Sequence, residues 1–334
     1  MRYIVIGAGA VGGSIGAALF QGGHSVILVA RGAHGQAMAS DGLEFATPRG
    51  TSTLDLPVVS GPDEVKLEPD DVLVLGVKVQ QSIEALDLWS AQPVAGGGTA
   101  GELLPIFCAQ NGAEGERLAL RRFARVYGIC VMLPAGHLAP GRIAAYGDPL
   151  IGVLTIGAYP SGTDDLTSRV CADLERCLIG GHPSAGVMRW KYTKLLANLG
   201  NALEAIGGPI EGDAALALLM RARSEGEKVL LGAGIDFADP QEDAGVRVRL
   251  ATADIPGHPR GGGSTWQSMT RGTGNIEADY LSGEIVLLGR LHGIPTPVNQ
   301  TLRRVANDLA RQGLPPGTVG FDELTSLVDA AARS

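Results

Sequence analysis

The first thirty residues constrain the fold more than any other stretch of this chain. A short apolar run at 3–6 leads into GAGAVG at 7–12, then an alanine-rich segment, and then a second apolar run at 26–30. This order predicts strand, glycine turn, helix and strand, with glycines at the GxGxxG spacing. Gly7 permits the tight turn, Gly9 lets the backbone approach a pyrophosphate, and Gly12 allows close helix–strand packing. We therefore predict a dinucleotide site at the helix N-terminus, where backbone N–H groups favour negative charge.

The end of the second predicted strand indicates which dinucleotide binds. An NAD site usually carries Asp or Glu there, to accept hydrogen bonds from the ribose 2′-hydroxyl. Here the strand runs into Arg31, and the next acidic residue is Asp41. A guanidinium is planar and permanently charged, and it can bind a 2′-phosphate through two hydrogen bonds. The sequence therefore favours NADPH, the alternative being that Arg31 is a solvated loop arginine.

Length, charge and cysteine spacing narrow the class of protein. The chain has 334 residues, of which 45% are hydrophobic, enough for two domains with cores of their own. A formal net charge of −8 argues against nucleic acid or an anionic membrane as the main partner. The four cysteines and six histidines lack the spacing of metal ligands, so no metal is predicted. No apolar run is long enough to span a bilayer, and a cytoplasmic location is expected.

The pattern along the chain predicts an α/β protein with two domains. Apolar runs at 71–77, 103–109 and 126–133 alternate with helical patterns, which is typical of a doubly wound parallel sheet. We assign this Rossmann domain to residues 1–160. Residues 161–334 are predicted to form an all-helical domain, and a flexible Gly/Pro-rich loop at 255–263 could act as a mobile lid. The predicted helices of this domain span 164–178, 186–206, 213–235, 241–252, 276–292, 298–312 and 322–332.

Polar residues follow the predicted strands of the first domain. Ligands of doubly wound sheets bind beyond the carboxyl ends of the strands. Lys78 and Gln81 come after one such strand, and Asn111 comes after the next. These three residues are therefore candidates for cofactor binding.

A helical stretch in the second domain carries the most specific group of polar residues. Lys194, Asn198 and Asn201 are spaced i, i+4 and i+7, so they share one helix face. Leucines cover the other sides, which predicts a helix that is buried around most of its circumference. A buried lysine with two amides needs polar partners, which a ligand could supply. Lys191 lies off this face and is expected to be solvated. The alternatives are that these are polar residues on a helix surface, or that the amides bond to neighbouring helices.

A second polar cluster lies downstream. Ser264 and Gln267 follow a run of glycines, and Glu277 begins a predicted helix. The Ser264 hydroxyl could cap a short helix or bind a carboxylate, and Glu277 could complement a helix N-terminus or contact a substrate. The residue types alone leave both alternatives open.

These separated motifs together resemble the ketopantoate reductase (2-dehydropantoate 2-reductase) family over nearly the whole chain. The resemblance rests on Gly7-x-Gly9-x-x-Gly12, Arg31, Lys78-Val-Gln-Gln81, Asn111-Gly112, Trp190…Lys194-Leu-x-x-Asn198, Ser264-x-x-Gln267 and Glu277-Ala-Asp-Tyr280. It implies a Rossmann domain followed by a helical domain like that of 6-phosphogluconate dehydrogenase. It also implies NADPH-dependent reduction of a small 2-oxo acid held between the domains.

The resemblance assigns a role to each matched residue. Lys194 would be the general acid at the ketone oxygen, and Glu277 would bind the substrate hydroxyl. Ser264 would bind the carboxylate, and Asn198 with Asn201 the polar end of the substrate. The cofactor would contact Gly7, Gly9, Ala10, Val11, Gly12, Arg31, Lys78, Gln81 and Asn111. A helical second domain is a common dimer surface, so a homodimer is compatible with this organisation.

The chain departs from the family pattern at positions that would contact the substrate. Asn201 comes three residues after Asn198 instead of four, Gly263 replaces the first serine of a Ser-Ser pair, and Ser268 stands where an Asp is common. Three hypotheses therefore stay open. The chain reduces ketopantoate, it reduces a different 2-oxo acid or carbonyl on the same scaffold, or it is a non-catalytic NADPH-binding protein.

Overall fold

The computed structural model describes residues 1–272 and 274–333 and divides the chain into two compact units. The first unit comprises 1–190 and 239–260, and the second comprises 191–238 and the chain from Gly261 onward. The boundary thus differs from the one predicted at residue 160. The difference arises because a helix and a strand after residue 160 complete the first unit, and a later segment returns to it.

Among the described residues, the strands all belong to the first unit. In chain order they are β1 (Arg2–Ile6), β2 (Ser25–Val29), β3 (Leu43–Thr47), β4 (Gly50–Leu54), β5 (Val58–Val59), β6 (Asp71–Leu75), β7 (Pro105–Cys108), β8 (Arg125–Met132), β9 (Ala135–Ala139), β10 (Arg142–Ala145), β11 (Gly147–Pro149), β12 (Gly152–Ala158), β13 (Ile179–Pro183) and β14 (Leu250–Thr252).

The α-helices are numbered in chain order like the strands. They are α1 (Ala10–Gln21), α2 (Gly32–Asp41), α3 (Ser82–Ser90), α4 (Ala100–Leu103), α5 (Gly115–Leu120), α6 (Asp165–Arg176), α7 (Val187–Asn198), α8 (Gly200–Gly207), α9 (Gly212–Gly232), α10 (Pro240–Arg247), α11 (Ser264–Thr270), α12 (Ser282–His292), α13 (Pro297–Arg311) and α14 (Phe321–Arg333).

The main sheet confirms the predicted doubly wound architecture. Within the described residues its order is β13-β12-β8-β7-β6-β1-β2-β5. Ile4 of β1 lies opposite Ile27 of β2 on one side and Leu73 of β6 on the other, both in parallel register. These strands are nearly continuous apolar runs because helices cover both faces of the sheet.

One pair of strands in this sheet is antiparallel, which the sequence pattern did not predict. β12 runs against β8, and β13 then extends the sheet in parallel to β12. The chain between β8 and β12 forms β9 and β10 of a small sheet instead of a crossover helix, and a parallel pair would require such a crossover. The small sheet has the order β4-β3-β10-β9.

The segment 239–260 corrects one prediction. A helix was expected over 241–252, but α10 is short and β14 follows it, pairing with β11. Ile255, the first residue of the Gly/Pro-rich loop, is buried against Ala46, Ala144 and Tyr146. The chain turns back at His258, whose N–H donates to the carbonyl of Ile255. Long-range apolar contacts thus hold the first residue of the Gly/Pro-rich stretch.

The second unit is helical, as predicted, and α8, α9, α12, α13 and α14 surround its apolar core. The predicted helix over 186–206 is divided at Leu199 into α7 and α8. Glu225 of α9 is buried, and its carboxylate accepts hydrogen bonds from the backbone N–H groups of Val298 and Asn299 at the start of α13. This arrangement satisfies orphan donors of the α13 N-terminus and complements its dipole.

Candidate functional site

The glycine turn of the first unit has three glycines in three different environments. Gly7 has φ +99°, and a Cβ there would lie 2.6 Å from the backbone nitrogen of Val77. A Cβ on Gly12 would lie 2.2 Å from the carbonyl oxygen of Gly7. At Gly9, the N-cap of α1, a Cβ would meet no atom within 4 Å. Gly7 and Gly12 therefore permit close packing, whereas the backbone at Gly9 faces open space that an anion can approach.

The N-terminus of α1 is suited to hold phosphate. The helix begins at Ala10 and Val11 and has no acidic residue in its first turn. Its first backbone N–H groups have no partner within the helix, and its dipole favours negative charge. The residues present therefore fit the pyrophosphate of a dinucleotide.

A histidine that the sequence analysis did not single out holds the glycine turn in place. The Nδ1 atom of His34 lies 2.9 Å from the backbone nitrogen of Gly141. Because a backbone N–H can only donate, Nδ1 accepts, and Nε2 carries the proton in the neutral ring. Nε2 then donates to the carbonyl oxygen of Ala8 at 2.8 Å. His34 thereby connects the turn to the loop between β9 and β10.

Arg31 lies at the N-cap of α2, directly after β2. Its Nη1 atom is 2.8 Å from Oε1 of Glu84, and both side chains are 61% exposed. Glu84 belongs to the first turn of α3 and is 53 residues away in the chain. The fold thus places a carboxylate beside the arginine that the sequence analysis assigned to a 2′-phosphate. No local motif could have indicated this pair.

The candidates that follow β6 and β7 are connected through Gln110. Its side-chain amide donates to the carbonyl oxygen of Val77 at 2.6 Å and to the hydroxyl of Ser82 at 2.8 Å. Lys78 comes directly after Val77, and Asn111 directly after Gln110; both are half-buried. Gln81 is exposed just before α3. Gln110 is buried, and it stands directly before Asn111 among the positions that follow the strands, where ligands of doubly wound sheets bind.

In the second unit, Lys194 and Asn198 lie on α7. Lys194 is half-buried and Asn198 is 8% exposed. The leucines around them, including Leu195 and Leu199, are buried, as predicted for a helix covered on most sides. Lys191 was expected to be solvated, but its side chain is 2% exposed. That prediction is wrong because every residue of α7 is buried or half-buried, so this helix has no exposed face on which a lysine would be solvated.

Asn201 on α8 lies beside Ser264 on α11. The Nδ2 atom of Asn201 is 3.4 Å from Oγ of Ser264, although the two residues are 63 positions apart. Glu204, one turn after Asn201, accepts a hydrogen bond from the backbone N–H of Gly263 at 2.8 Å. Glu204 was not predicted as a site residue, and its i+3 spacing from Asn201 is the signal that indicates a shared face. The residues on this face of α8 thus hold the N-terminal end of α11.

Gly263 is packed against this face of α8. A Cβ at Gly263 would lie 2.8 Å from Oε2 of Glu204 and 3.1 Å from Oδ1 of Asn201. The shifted asparagine and the glycine, two of the three departures from the family pattern, are therefore in contact. The Asn201 amide lies in the space that a side chain at 263 would need.

A line of polar side chains continues along α11. The Ser268 hydroxyl donates to the carbonyl oxygen of Ser264 at 2.9 Å, and Nη2 of Arg271 lies 3.3 Å from the Ser268 hydroxyl. Ser268 is the position where the family commonly has an acid. Arg271 therefore faces a neutral hydroxyl there.

Glu277 lies at the start of a short 3-10 helix at 278–280, and its carbonyl oxygen accepts the backbone N–H of Tyr280 at 3.0 Å. The Glu277 side chain is half-buried in the second unit.

Among residues 1–272 and 274–333, no group of three or more His, Cys, Asp or Glu side chains is arranged to hold a metal ion. None of the helices in this described part of the chain has the length and apolar character needed to cross a membrane.

Two profiles of one known protein family match most of this chain. The family profile described as "Ketopantoate reductase PanE/ApbA" matches residues 3–161, and the profile of its C-terminal domain matches residues 186–310. A protein named 2-dehydropantoate 2-reductase from Pyrococcus abyssi is 29% identical over 308 residues, which cover 90% of this chain and 95% of that protein.

Solved structures share the fold. A PanE/ApbA family ketopantoate reductase from Ralstonia eutropha JMP134 has a TM-score of 0.76 at 26% identity, covering 94% of this chain and 99% of the other. A D-mandelate dehydrogenase solved with NADH and anilino(oxo)acetate has a TM-score of 0.79 at 20% identity, with the same coverage. The second similarity concerns the fold alone.

Proposed function

The chain belongs to the ketopantoate reductase family of oxidoreductases, and from that premise we propose that it reduces ketopantoate to pantoate with NADPH. This reaction is a step of pantothenate biosynthesis, and we propose that it takes place in the cytoplasm. The single observation that carries the proposal is the contact between Asn201 and Ser264. Two motifs that the family resemblance assigns to substrate binding thereby meet within the unit that also contains Lys194, Asn198 and Glu277.

The first unit supplies the residues for the dinucleotide. The N-terminus of α1 would bind the pyrophosphate through the backbone at Gly9, Ala10 and Val11, and Arg31 would bind the 2′-phosphate of NADPH. Lys78, Gln81 and Asn111 would contact the nicotinamide half. When bound, the reduced nicotinamide supplies the hydride that the carbonyl carbon receives.

The second unit supplies the groups for the 2-oxo acid. Lys194 would donate a hydrogen bond from Nζ to the ketone oxygen, stabilise the negative charge that develops there, and deliver a proton. Ser264 would bind the substrate carboxylate, and Asn198 and Asn201 its polar end. Glu277 would accept a hydrogen bond from the substrate hydroxyl. Lys194 matters most for rate because only interactions that strengthen in the transition state accelerate the chemical step.

The direct test measures loss of NADPH absorbance when the purified protein is mixed with ketopantoate, with pyruvate and 2-oxoisovalerate as comparison substrates. Fast oxidation with ketopantoate alone is the expected result. Tight NADPH binding without oxidation by ketopantoate would refute the proposed substrate.

A second candidate function is reduction of a different 2-oxo acid on the same scaffold. It is favoured by the contact of Gly263 with Asn201 and by the Arg271 guanidinium beside the Ser268 hydroxyl. These departures from the family pattern lie at positions that would contact the substrate. A panel of 2-oxo acids, including ones with a second anionic group, separates this candidate from the first. A role as a non-catalytic NADPH-binding protein would leave Lys194 and Glu277 without a use.

A further inference from the structure

The acidic residue that an NAD site needs is missing after β2 in the sequence, but the fold supplies one from α3. A dinucleotide in a doubly wound sheet places its adenosine ribose at the end of the second strand, where an acid accepts the 2′-hydroxyl. Arg31 occupies that end, at the N-cap of α2. Oε1 of Glu84 lies 2.8 Å from the Arg31 guanidinium, so a carboxylate lies beside the group assigned to the 2′-phosphate.

We propose that Glu84 determines cofactor choice by accepting the ribose 2′-hydroxyl of NADH and opposing the 2′-phosphate of NADPH, so that the protein binds both cofactors. This inference extends the proposed function, which concerned NADPH alone. It concerns binding of the dinucleotide and does not depend on which 2-oxo acid is reduced.

The charges of the pair explain why both cofactors are accommodated. The Arg31 guanidinium can bind a phosphate dianion through two hydrogen bonds, while an ionised carboxylate can only accept hydrogen bonds. A 2′-hydroxyl is a donor that the Glu84 carboxylate can accept, whereas a 2′-phosphate beside Glu84 experiences like-charge repulsion. Each cofactor therefore finds one favourable partner in the same pair.

The exposure of the pair explains how a ligand can compete with it. Both side chains are 61% exposed, and exposed ion pairs are weak because water and salt screen them. A ribose hydroxyl or phosphate can therefore replace part of the contact between Arg31 and Glu84 at small cost. The helix α3 stays in place, since buried Leu86 and Trp89 fix it to the core.

The test is direct binding of NADH and of NADPH, followed by the fluorescence of the reduced nicotinamide and requiring no substrate. The change of Glu84→Gln keeps the shape of the side chain and removes its charge. We expect NADH affinity to fall about tenfold, as for loss of a charge-assisted hydrogen bond, and NADPH affinity to rise about threefold. The gain for NADPH should shrink between low and high salt, because the repulsion it removes is screened.

Asp87→Asn is the matched control. Asp87 lies on the same helix three residues after Glu84, is 59% exposed, and pairs with Arg122. Its substitution removes an equal charge from α3 and should leave the ratio of NADPH to NADH affinity unchanged. Equal effects of Glu84→Gln on the two cofactors, or an unchanged NADH affinity, would overturn the inference. Glu84→Ala should lower NADH affinity in the same direction.

Discussion

The side-chain amide nitrogen of Asn201 lies 3.4 Å from the hydroxyl of Ser264, and the oxygen of the same amide would lie 3.1 Å from a Cβ at Gly263. The shifted asparagine at 201 and the glycine at 263 are therefore coupled through packing. A residue larger than glycine at 263 and an asparagine at 201 compete for the same volume.

Replacing Gly263 with Ala should disturb this contact. The backbone φ of −60° at Gly263 suits alanine, so the effect comes from the added methyl group, which would displace Asn201 and Glu204. We expect KM for the 2-oxo acid to rise about three- to tenfold, the scale of one weakened hydrogen bond. Steady-state kinetics measure this change. Gly261→Ala is the control, because the nearest neighbour of its Cβ would be 3.9 Å away. Equal KM values for the two variants would contradict the role of this contact.

Replacing Lys194 with Ala should remove the proposed general acid. Loss of one electrostatic donor at a developing oxyanion typically costs about 100- to 1,000-fold in turnover. We expect kcat to fall by that factor while NADPH affinity stays nearly unchanged, as measured by stopped-flow single turnovers and by binding titration. Lys228→Ala removes an exposed lysine from α9 of the same unit and should leave kcat unaltered. Turnover of the Lys194 variant within threefold of wild type would refute the assignment.

Replacing Arg31 with Ala should lower the ratio of NADPH to NADH affinity, whereas Glu84→Gln should raise it. The 2′-phosphate loses its guanidinium and meets the Glu84 carboxylate alone, so NADPH affinity should fall at least about tenfold, the scale of a lost charge-assisted contact. NADH affinity should change little. Arg49→Ala, at another exposed arginine of the first unit, is the control in the same titrations. Equal loss of both cofactors would be inconsistent with a contact to the 2′-phosphate.

Asp164 gives a pH-dependent prediction for stability. It caps α6, and its carboxylate accepts hydrogen bonds from the Thr167 N–H at 2.8 Å and the Tyr127 hydroxyl at 2.6 Å. Burial works to raise the pKa of Asp164, but the hydrogen bonds from Tyr127 and Thr167 outweigh it and hold the pKa below the usual 3.8. The ionised form is therefore favoured by folding. Its contribution is present above pH 3.8 and is lost as the pH falls through the lowered pKa.

The corresponding measurement compares Asp164→Ala with wild type by urea unfolding at several pH values. At pH 7 we expect the variant to lose about 0.5–2 kcal/mol of unfolding free energy, as for removal of an N-cap. The difference should shrink toward zero in acid. Asp165→Ala, at the exposed neighbouring position, should show a smaller loss. A difference that stays constant down to pH 3 would contradict the lowered pKa.

The sequence determined the parts of this protein that depend on local pattern. The spacing of Gly7, Gly9 and Gly12 predicted a turn whose packing the structure confirms, because only glycine fits where a Cβ would meet backbone atoms. The apolar runs predicted β6, β7 and β8, and the predicted helix end at residue 292 is the observed end of α12, after which Gly293 adopts φ +68°. Local propensity and periodicity are sufficient for such features since the interacting residues are close in the chain.

Tertiary structure alone decided which distant residues meet. Glu84 lies beside Arg31, and Glu204 holds Gly263, although 53 and 59 positions separate the members of each pair. Lys191 is buried although nothing in its helical pattern indicates it, and the segment after Asp239 returns to the first unit to pair β14 with β11. These contacts depend on how strands and helices pack, and no hydrophobic period along the chain encodes the position of a partner on another element.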